Sequence, residues 1–506
     1  MLLSNAALMY DADAAAIHVE GVPSAVLMWN ASEHLARAAM EMMGMKRRCV
    51  VFCGCGNNGG DGIGAAAILL RAGYSVRCVL FGRREKMSGD AQEMERRLQR
   101  VGGTVEDFDA DDETLRRDIL EAGVLIDALC GIGLGRPIAK EPLLTAVQLM
   151  NGSGVPVLSA DIPSGVEADS GEVRGAAVLA ERTVTFSMAK PGHFVEPGCV
   201  HTGMLEVCDI GVPAPALEDA FCGVEALCEG DVRLPRRPRL AHKGSFGRLL
   251  LLGGSVGYTG APNLAAGAAV KSGAGLVYLG VPEPIYNICA VKNEEAMPFP
   301  LPSDDAGRFS AEALRALVKK DIPADVLALG PGMGRSEGVR VLVKELVRGF
   351  EGTLLLDADA LWAVSDEVAI LKEAAGDVVI TPHMGEFKRL GGVKGGGRLS
   401  DALAFAKEYG CITVLKGHRS IVALPDGRAF IIAAGNPGMA RGGSGDVLTG
   451  IIGAMLCQFP AEKAAAAGAW VHAAAGDRCA ETQGEYGMTP TDMIAALPAV
   501  LKSISK

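Results

Sequence analysis

Residues 49–62 read CVVFCGCGNNGGDG. A short apolar, β-branched run enters a glycine-rich turn, and the helix formers of residues 65–72 follow. Gly54, Gly56 and Gly59 satisfy G-x-G-x-x-G in the strand–turn–helix context that dinucleotide-binding folds require. The pattern alone is weak. The next apolar run ends Leu80-Phe81-Gly82-Arg83-Arg84, where a plain NAD site would want an acid. The polar filling says more, because a mere turn has no need of Asn57, Asn58 and Asp61 among glycines. Glycine lets backbone N–H groups face an anion, while amide and carboxylate oxygens can meet a cation or a hydroxyl.

Working outward, similar runs recur at residues 75–81 (SVRCVLF), 124–128 (VLIDA), 155–160 (VPVLSA) and 182–187 (RTVTFS). They are too short and too continuous for surface helices and read as buried parallel strands. Helical stretches such as 91–100 lie between them, so the first half is expected to be a Rossmann-like open α/β domain with helices on both faces. The alternation breaks over 211–238, which holds Pro213, Pro215, Pro235 and Pro238 with Arg233, Arg236 and Arg237. It restarts at 248–252 (RLLLL) and continues at 276–279, 326–329, 353–356, 378–381, 412–415 and 421–424. The expected organisation is a first α/β domain at 1–215, a linker at 216–238 and a second α/β domain at 239–506, neither a copy of the other.

The composition narrows the function classes. Hydrophobic residues are 49% and charged residues 22% of 506, which suits a globular protein with a real core. A net charge of −11 and only 5% aromatics argue against nucleic acid as a partner, so any phosphate must be held locally. The 13 cysteines are scattered without a zinc-ligand spacing and read as thiols in a reducing compartment. No apolar run reaches the roughly 18 residues of a membrane span. The opening MLLSNAALMYDADAAA lacks a basic region and carries Asp11 and Asp13, unlike a signal peptide, so the expected location is cytoplasmic.

Two further loops in the first half end strands with an acid: Asp127 leading to Gly131-Ile132-Gly133-Leu134-Gly135-Arg136-Pro137, and Asp161 leading to Ile162-Pro163-Ser164-Gly165. Ligands of open α/β sheets collect at strand carboxyl ends. One such Asp could be a helix N-cap, but three polar loops ending three strands exceed what capping needs. With residues 21–24 (GVPS) and Leu27-Met28, these runs resemble the epimerase domain of the NAD(P)H-hydrate repair family. The resemblance implies that Asn57, Asn58, Gly59, Gly60 and Asp61 contact the hydrated dinucleotide. It also implies that Asn58, Asp127 and Ser164 hold potassium, and that the Gly131–Pro137 loop and Asp161 complete the site. Asp161 is the implied proton carrier. The family usually has Glu and Gly where this chain has Trp29 and Ser32. Lys190, also at a family-like position, reads either as a phosphate contact or as a solvated surface lysine.

In the second half the most informative run is Gly442-Gly443-Ser444-Gly445-Asp446, followed by the helix-like VLTGIIGAML. Small residues before an acid at a helix start set amides and a positive dipole end against an anion. Asp446 is thereby placed to take a proton from an attacking hydroxyl. With LGPGMG at 329–334, TPHMGE at 381–386 and the HKG start at 242–244, this half resembles the ribokinase-like fold and, within it, the NAD(P)H-hydrate dehydratase branch. The resemblance implies that Ala261, Gly332 or Gly334, His383 and Asp446 contact the hydrate. It assigns Lys416, Gly417, His418, Arg419, Ser420 and Gly445 to the nucleotide, with magnesium (Mg2+) held by Glu386 or Asp359.

The implied enzyme is bifunctional. It epimerises the R and S hydrates NADHX and NADPHX with K+, and dehydrates the S form using ADP, or else ATP. Relatives assemble, so a homo-oligomer is implied too. The rival reading is a small-alcohol kinase of vitamin or sugar metabolism carrying a non-catalytic dinucleotide-binding module.

Overall fold

The computed structural model describes residues 1–505 and divides the chain into two compact units, Leu2–Val224 and, with Met1, Glu225 onward. In the first unit seven strands run β1 (Arg48–Cys53), β2 (Ser75–Leu80), β3 (Val105–Asp107), β4 (Val124–Ala128), β5 (Val157–Ala160), β6 (Arg182–Phe186) and β7 (Met204–Cys208). They form one parallel sheet in the order β3-β2-β1-β4-β5-β6-β7. Strands β1, β4 and β5 are buried nearly throughout, as parallel strands covered on both faces must be. The chain moves from β1 to one side and returns to place β4 on the other. The β1/β4 boundary is therefore a topological switch point, with a crevice beyond its carboxyl ends. Helices α1 (Ala6–His18), α2 (Ser24–Met43) and α3 (Asn57–Arg71) pack around that crevice.

The second unit carries β8 (Val224–Leu227), β9 (Arg248–Leu252), β10 (Leu276–Pro282), β11 (Met297–Leu301), β12 (Val326–Leu329), β13 (Thr353–Leu356), β14 (Val378–Ile380), β15 (Ile412–Leu415), β16 (Ile421–Ala423) and β17 (Ala429–Ile432). Their order is β11-β10-β9-β12-β13-β14-β15-β16-β17-β8, with a switch point at β9/β12. The sheet is parallel from β11 to β15 and antiparallel from β15 to β17. The stretch expected to be a linker thus contains β8, which adds to the edge of this sheet. Strands β3, β7, β8, β11 and β17 escaped the sequence reading because they are short or polar on one side; β3 is Val-Glu-Asp and β11 is Met-Pro-Phe-Pro-Leu. The helix Ser444–Leu456 is almost wholly buried and crosses Gly260–Lys271 so closely that a Cβ on Gly450 would lie 2.1 Å from the Ala265 carbonyl oxygen. Among the described residues no helix is long and apolar enough to cross a membrane.

Candidate active sites

The run from Asn57 to Asp61 is not a loop: it forms the first turns of α3, whose free N–H groups open onto the crevice at the β1/β4 switch point. Close approach explains its glycines. A Cβ on Gly54 would sit 1.9 Å from the Leu129 carbonyl oxygen, and one on Gly59 would sit 1.9 Å from that of Gly54. Gly60 is pressed against Met28, where a Cβ would come within 2.6 Å of Sδ. Gly59 and Gly60 thus serve packing, while Asn57, Asn58 and Asp61 line a cavity of about 610 Å³. Gly131, Ile132, Gly133 and Asp161 also line it; Leu134, Gly135, Arg136 and Pro137 do not. Leu134 packs toward a hydrophobic cluster under the sheet, and Gly135 to Pro137 are exposed. Trp29 and Ser32 have structural roles on α2. Trp29 donates to Glu33, and Ser32 Oγ turns back to the Met28 carbonyl where Gly64 of α3 passes.

The centre of this cavity is Asp161. Its Oδ1 accepts from Lys190 Nζ at 2.6 Å and from Thr185 Oγ1 at 2.9 Å. Lys190 is 1% exposed, so it is neither a surface lysine nor a free phosphate contact but the buried partner of the acid. Burial alone would raise the Asp161 carboxyl. The Lys190 charge and hydrogen bond, with His193 and Thr185, outweigh burial and hold it below its ordinary range. His193 accepts at Nδ1 from the Lys190 backbone N–H, so Nε2 carries the proton and donates to the Asp161 carbonyl at 2.9 Å. Burial and the neighbouring Lys190 bring its ring down to about 4, so it is neutral near pH 7.

Asp61 is pushed well up by burial and by the charges of Asp161, Asp13 and Asp90. Asp13, reached from α1, is raised to about 6 by burial, with Lys190 opposing and Asp161 reinforcing. Sequence reading assigned Asp13, Tyr10, Thr185, Ser187 and His193 no role in the site. Tyr10 and Asp13 lie on α1, Thr185 and Ser187 at the end of the 182–187 run and His193 in the turn Pro191–His193, and only the fold brings them to Asp161.

Potassium calls for hard oxygen donors. Asn58 is partly buried, with its amide Oδ1 and Nδ2 both buried and unpartnered, and its Oδ1 and the Asp161 Oδ2 are each 3.3 Å from a Cβ placed on Gly131. Asp127 is fully buried and accepts from Ser159 Oγ, from Ser164 N and Oγ, and from Leu129 N. Ser164 Oγ also lies 3.2 Å from the Cys130 carbonyl oxygen. These are hard oxygen donors of the type potassium takes; the Asn58 oxygen is unpartnered, while both Asp127 carboxylate oxygens are engaged by hydrogen bonds. Among the described residues no cluster of three His, Cys, Asp or Glu has the arrangement of a metal centre.

In the second unit His383, Lys416, Gly417, His418, Arg419, Ser420, Gly445 and Asp446 line one cavity of about 760 Å³. Ser444, Gly445 and Asp446 are the first turn of Ser444–Leu456, preceded by Gly443 in a left-handed conformation (φ 98°) that aims the turn. Asp357, at the end of β13, is 1% exposed and takes Lys416 Nζ at 2.6 Å and Thr449 Oγ1 at 2.8 Å. Burial first, then the Asp357 charge, raise Asp446 to about 7 against the opposing Lys416. Ala261 and Gly332 face each other near the β9/β12 switch point, outside that cavity lining; a Cβ on Gly332 would be 3.1 Å from the Ala261 Cβ. Gly334 N donates to Asp359 Oδ2, and Arg335 pairs with Asp359 Oδ1. Glu386 is engaged as well, accepting from His383 N. Asp359 and Glu386 thus each accept a backbone hydrogen bond, and Mg2+ is usually held by one or two carboxylates together with nucleotide phosphates.

Backbone strain marks both cavities. Among the described residues five non-glycine positions have positive φ, and four border a cavity: Asp161 (64°) and Ser187 (60°) the first, Ala358 (46°) and Arg419 (56°) the second. Each costs of order 1 kcal/mol and persists only where its surroundings enforce it, commonly at functional sites.

A family model described as "YjeF-related protein N-terminus" matches residues 24–192, and one described as "NAD(P)H-hydrate dehydratase" matches residues 249–499. The bifunctional NAD(P)H-hydrate repair enzyme Nnr of Moorella thermoacetica is 39% identical over 523 aligned positions, covering 100% of this chain and 98% of that protein. That of Thermofilum pendens is 37% identical, covering 96% and 93%. Among solved structures, a ribokinase-like superfamily protein from Enterococcus faecalis V583 is 29% identical with a TM-score of 0.50, covering 56% of this chain and 98% of that one.

Proposed function

This chain belongs to the bifunctional NAD(P)H-hydrate repair enzymes, and we propose on that basis that its first unit interconverts the R and S hydrates of NADH and NADPH while its second dehydrates the S form. The observation that carries the first half is the Asp161 carboxylate, kept ionised by Lys190 in a cavity of dinucleotide-fragment size. The hydrate's hydroxyl sits on a ring carbon bonded to nitrogen, so that centre can ionise and re-close on either face. Asp161 takes the proton released on re-closure. Asn57, Asn58 and the N-terminus of α3 orient the substrate, and the Gly131–Gly133 stretch shapes the wall beside the ring. Asn58, Asp127 and Ser164 would hold potassium, whose charge offsets the substrate's phosphates.

In the second unit Asp446 accepts the proton of the hydrate's hydroxyl as that oxygen attacks a nucleotide phosphoryl group, ADP being the favoured donor over ATP. The amides of Gly443 and Gly445 stabilise the charge that develops, the Ser444 N–H being given to the Arg441 carbonyl. Phosphate then departs where hydroxide would not, restoring the nicotinamide ring. A value of about 7 suits a base that must be half ionised at working pH. His383 and the residues 416–420 border the same cavity and would orient hydrate and nucleotide. The small-alcohol kinase reading has no support in family membership.

The test combines full-length protein, both NADHX epimers, K+, Mg2+ and either ADP or ATP, and follows NADH absorbance. Complete conversion of both epimers is expected, faster with ADP. Conversion that halts when the S form is spent would remove the epimerase reading, and none with either nucleotide would remove the dehydratase reading.

A further inference from the structure

Epimerisation at a carbon bearing hydroxyl needs two proton carriers if the hydroxyl leaves from one face and returns on the other. The first cavity is lined by four carboxyl groups, those of Asp161, Asp61, Asp90 and Asp13, of which Asp161 and Asp13 come from separate walls. Asp161 stands at the end of β5, and α1 contributes Met9, Tyr10 and Asp13 from another side. Tyr10 fixes how α1 lies: its hydroxyl is 2.5 Å from a Cβ placed on Gly133, so α1 is seated over the loop after β4. The two acids are treated oppositely. Asp161 is bound by Lys190 and Thr185, whereas no hydrogen bond from the described residues reaches the Asp13 carboxyl, which is half-buried and faces the cavity.

Building on the epimerase reading of this cavity, we propose that Asp13 is a second catalytic residue, the acid that works opposite Asp161. In one direction the Asp13 carboxylic acid gives its proton to the ring hydroxyl. The C–O bond breaks with its electron pair going to oxygen, water departs, and the ring nitrogen's lone pair stabilises the cation. Water adds to the other face and its extra proton passes to the Asp161 carboxylate. The proton has moved from Asp13 to Asp161; the reverse epimerisation, or exchange with solvent, returns it. Environments that push two carboxyls apart, one held ionised and one raised to about 6, are what an acid and base pair requires.

The experiment uses full-length protein without nucleotide and R-enriched NADHX, with the R/S ratio followed chromatographically above the solvent rate. Asp13→Asn is expected to slow epimerisation about 100-fold or more, while S-epimer dehydration with ADP stays within twofold of wild type. A rate within threefold of wild type would overturn the proposal. A wild type that fails to epimerise would instead sink the underlying reading of the cavity. Should Asp13→Asn disturb the first unit, the wild-type pH profile decides. Epimerisation is expected to fall as pH rises through about 6, where Asp13 loses its proton. A rate constant from pH 5 to 8 would overturn the proposal. Tyr10, His18, Asp61, Asp90, Asp161 and Lys190 also face this cavity. If one of them caused the fall, the limb would survive in the residual activity of Asp13→Asn.

Discussion

Lys190 Nζ and Asp161 Oδ1 meet at 2.6 Å although 29 residues separate them in the chain, and both are buried. The pair joins the ends of β5 and β6 at the floor of the first cavity. Removing one partner from such a pair leaves an uncompensated buried charge, which typically costs about 3–5 kcal/mol. Lys190→Met is therefore expected to destabilise the first unit by that order and abolish epimerisation. Lys190→Met combined with Asp161→Asn should recover most of the stability and none of the activity. Hydrogen exchange at the β4 and β5 amides reads the first outcome, and the NADHX assay reads the second.

His193 reaches the substrate only through Asp161. Its neutral ring ties the Asp161 carbonyl at 2.9 Å and thereby holds a left-handed backbone that aspartate does not favour. His193→Ala should lower kcat of epimerisation about tenfold, as expected from misplacing a reacting group, and leave KM nearly unchanged. A rise in KM with unchanged kcat would assign the histidine to binding instead.

Dehydration should gain rate as pH rises through about 7, because Asp446 acts as a base only when ionised. The Asp357 charge contributes to that raised value, so Asp357→Asn should move the limb to lower pH. The amide oxygen can still accept from Lys416 in place of Oδ1, and its NH2 can donate to Thr449 Oγ1, whose own hydrogen can turn to the Gly445 carbonyl. A limb that stays in place would show that another group sets it.

Asp13 makes the first unit depend on pH in an unusual direction. Its folded value, about 6, lies above the ordinary 3.8, so the native state binds the proton more tightly than the unfolded chain does. The stability it contributes is present below about pH 4 and lost as pH rises to about 6. Asp13→Asn cannot ionise, so it should be more stable than wild type by about 1–2 kcal/mol at pH 7.5, the rise from 3.8 to about 6 being discounted for partial exposure to solvent. It should show no gain at pH 3.5. Amide protection in α1 and β1 at the two pH values checks this.

Gly450→Ala tests how the second cavity is held. The added methyl would sit 2.1 Å from the Ala265 carbonyl oxygen and force the helix Ser444–Leu456 away from Gly260–Lys271. Overpacking of this kind costs about 1–3 kcal/mol. Because the same helix carries Asp446, dehydration should fall with stability while epimerisation is unchanged.

The amino-acid sequence by itself determined the two α/β units, because buried parallel strands must be short apolar runs and those runs are visible without coordinates. It also marked the glycine-rich passages into a helix at 54–62 and 442–446, since only small residues permit such close backbone approach, but it read Asn57–Asp61 as a turn where the fold makes them the first turns of α3. The strand-ending acids Asp127 and Asp161 were legible too, because strand carboxyl ends are where such sheets bind ligands. Tertiary structure alone decided that Lys190 is buried against Asp161, that Asp13 faces the same cavity from α1, and that Asp357 sits between Lys416 and Thr449 beside Asp446. The reason is physical. Strand and turn preferences act over a few neighbouring residues and leave a local pattern, whereas charge pairing and desolvation depend on distance in space. A lysine that ends up buried reads along the chain like any other lysine.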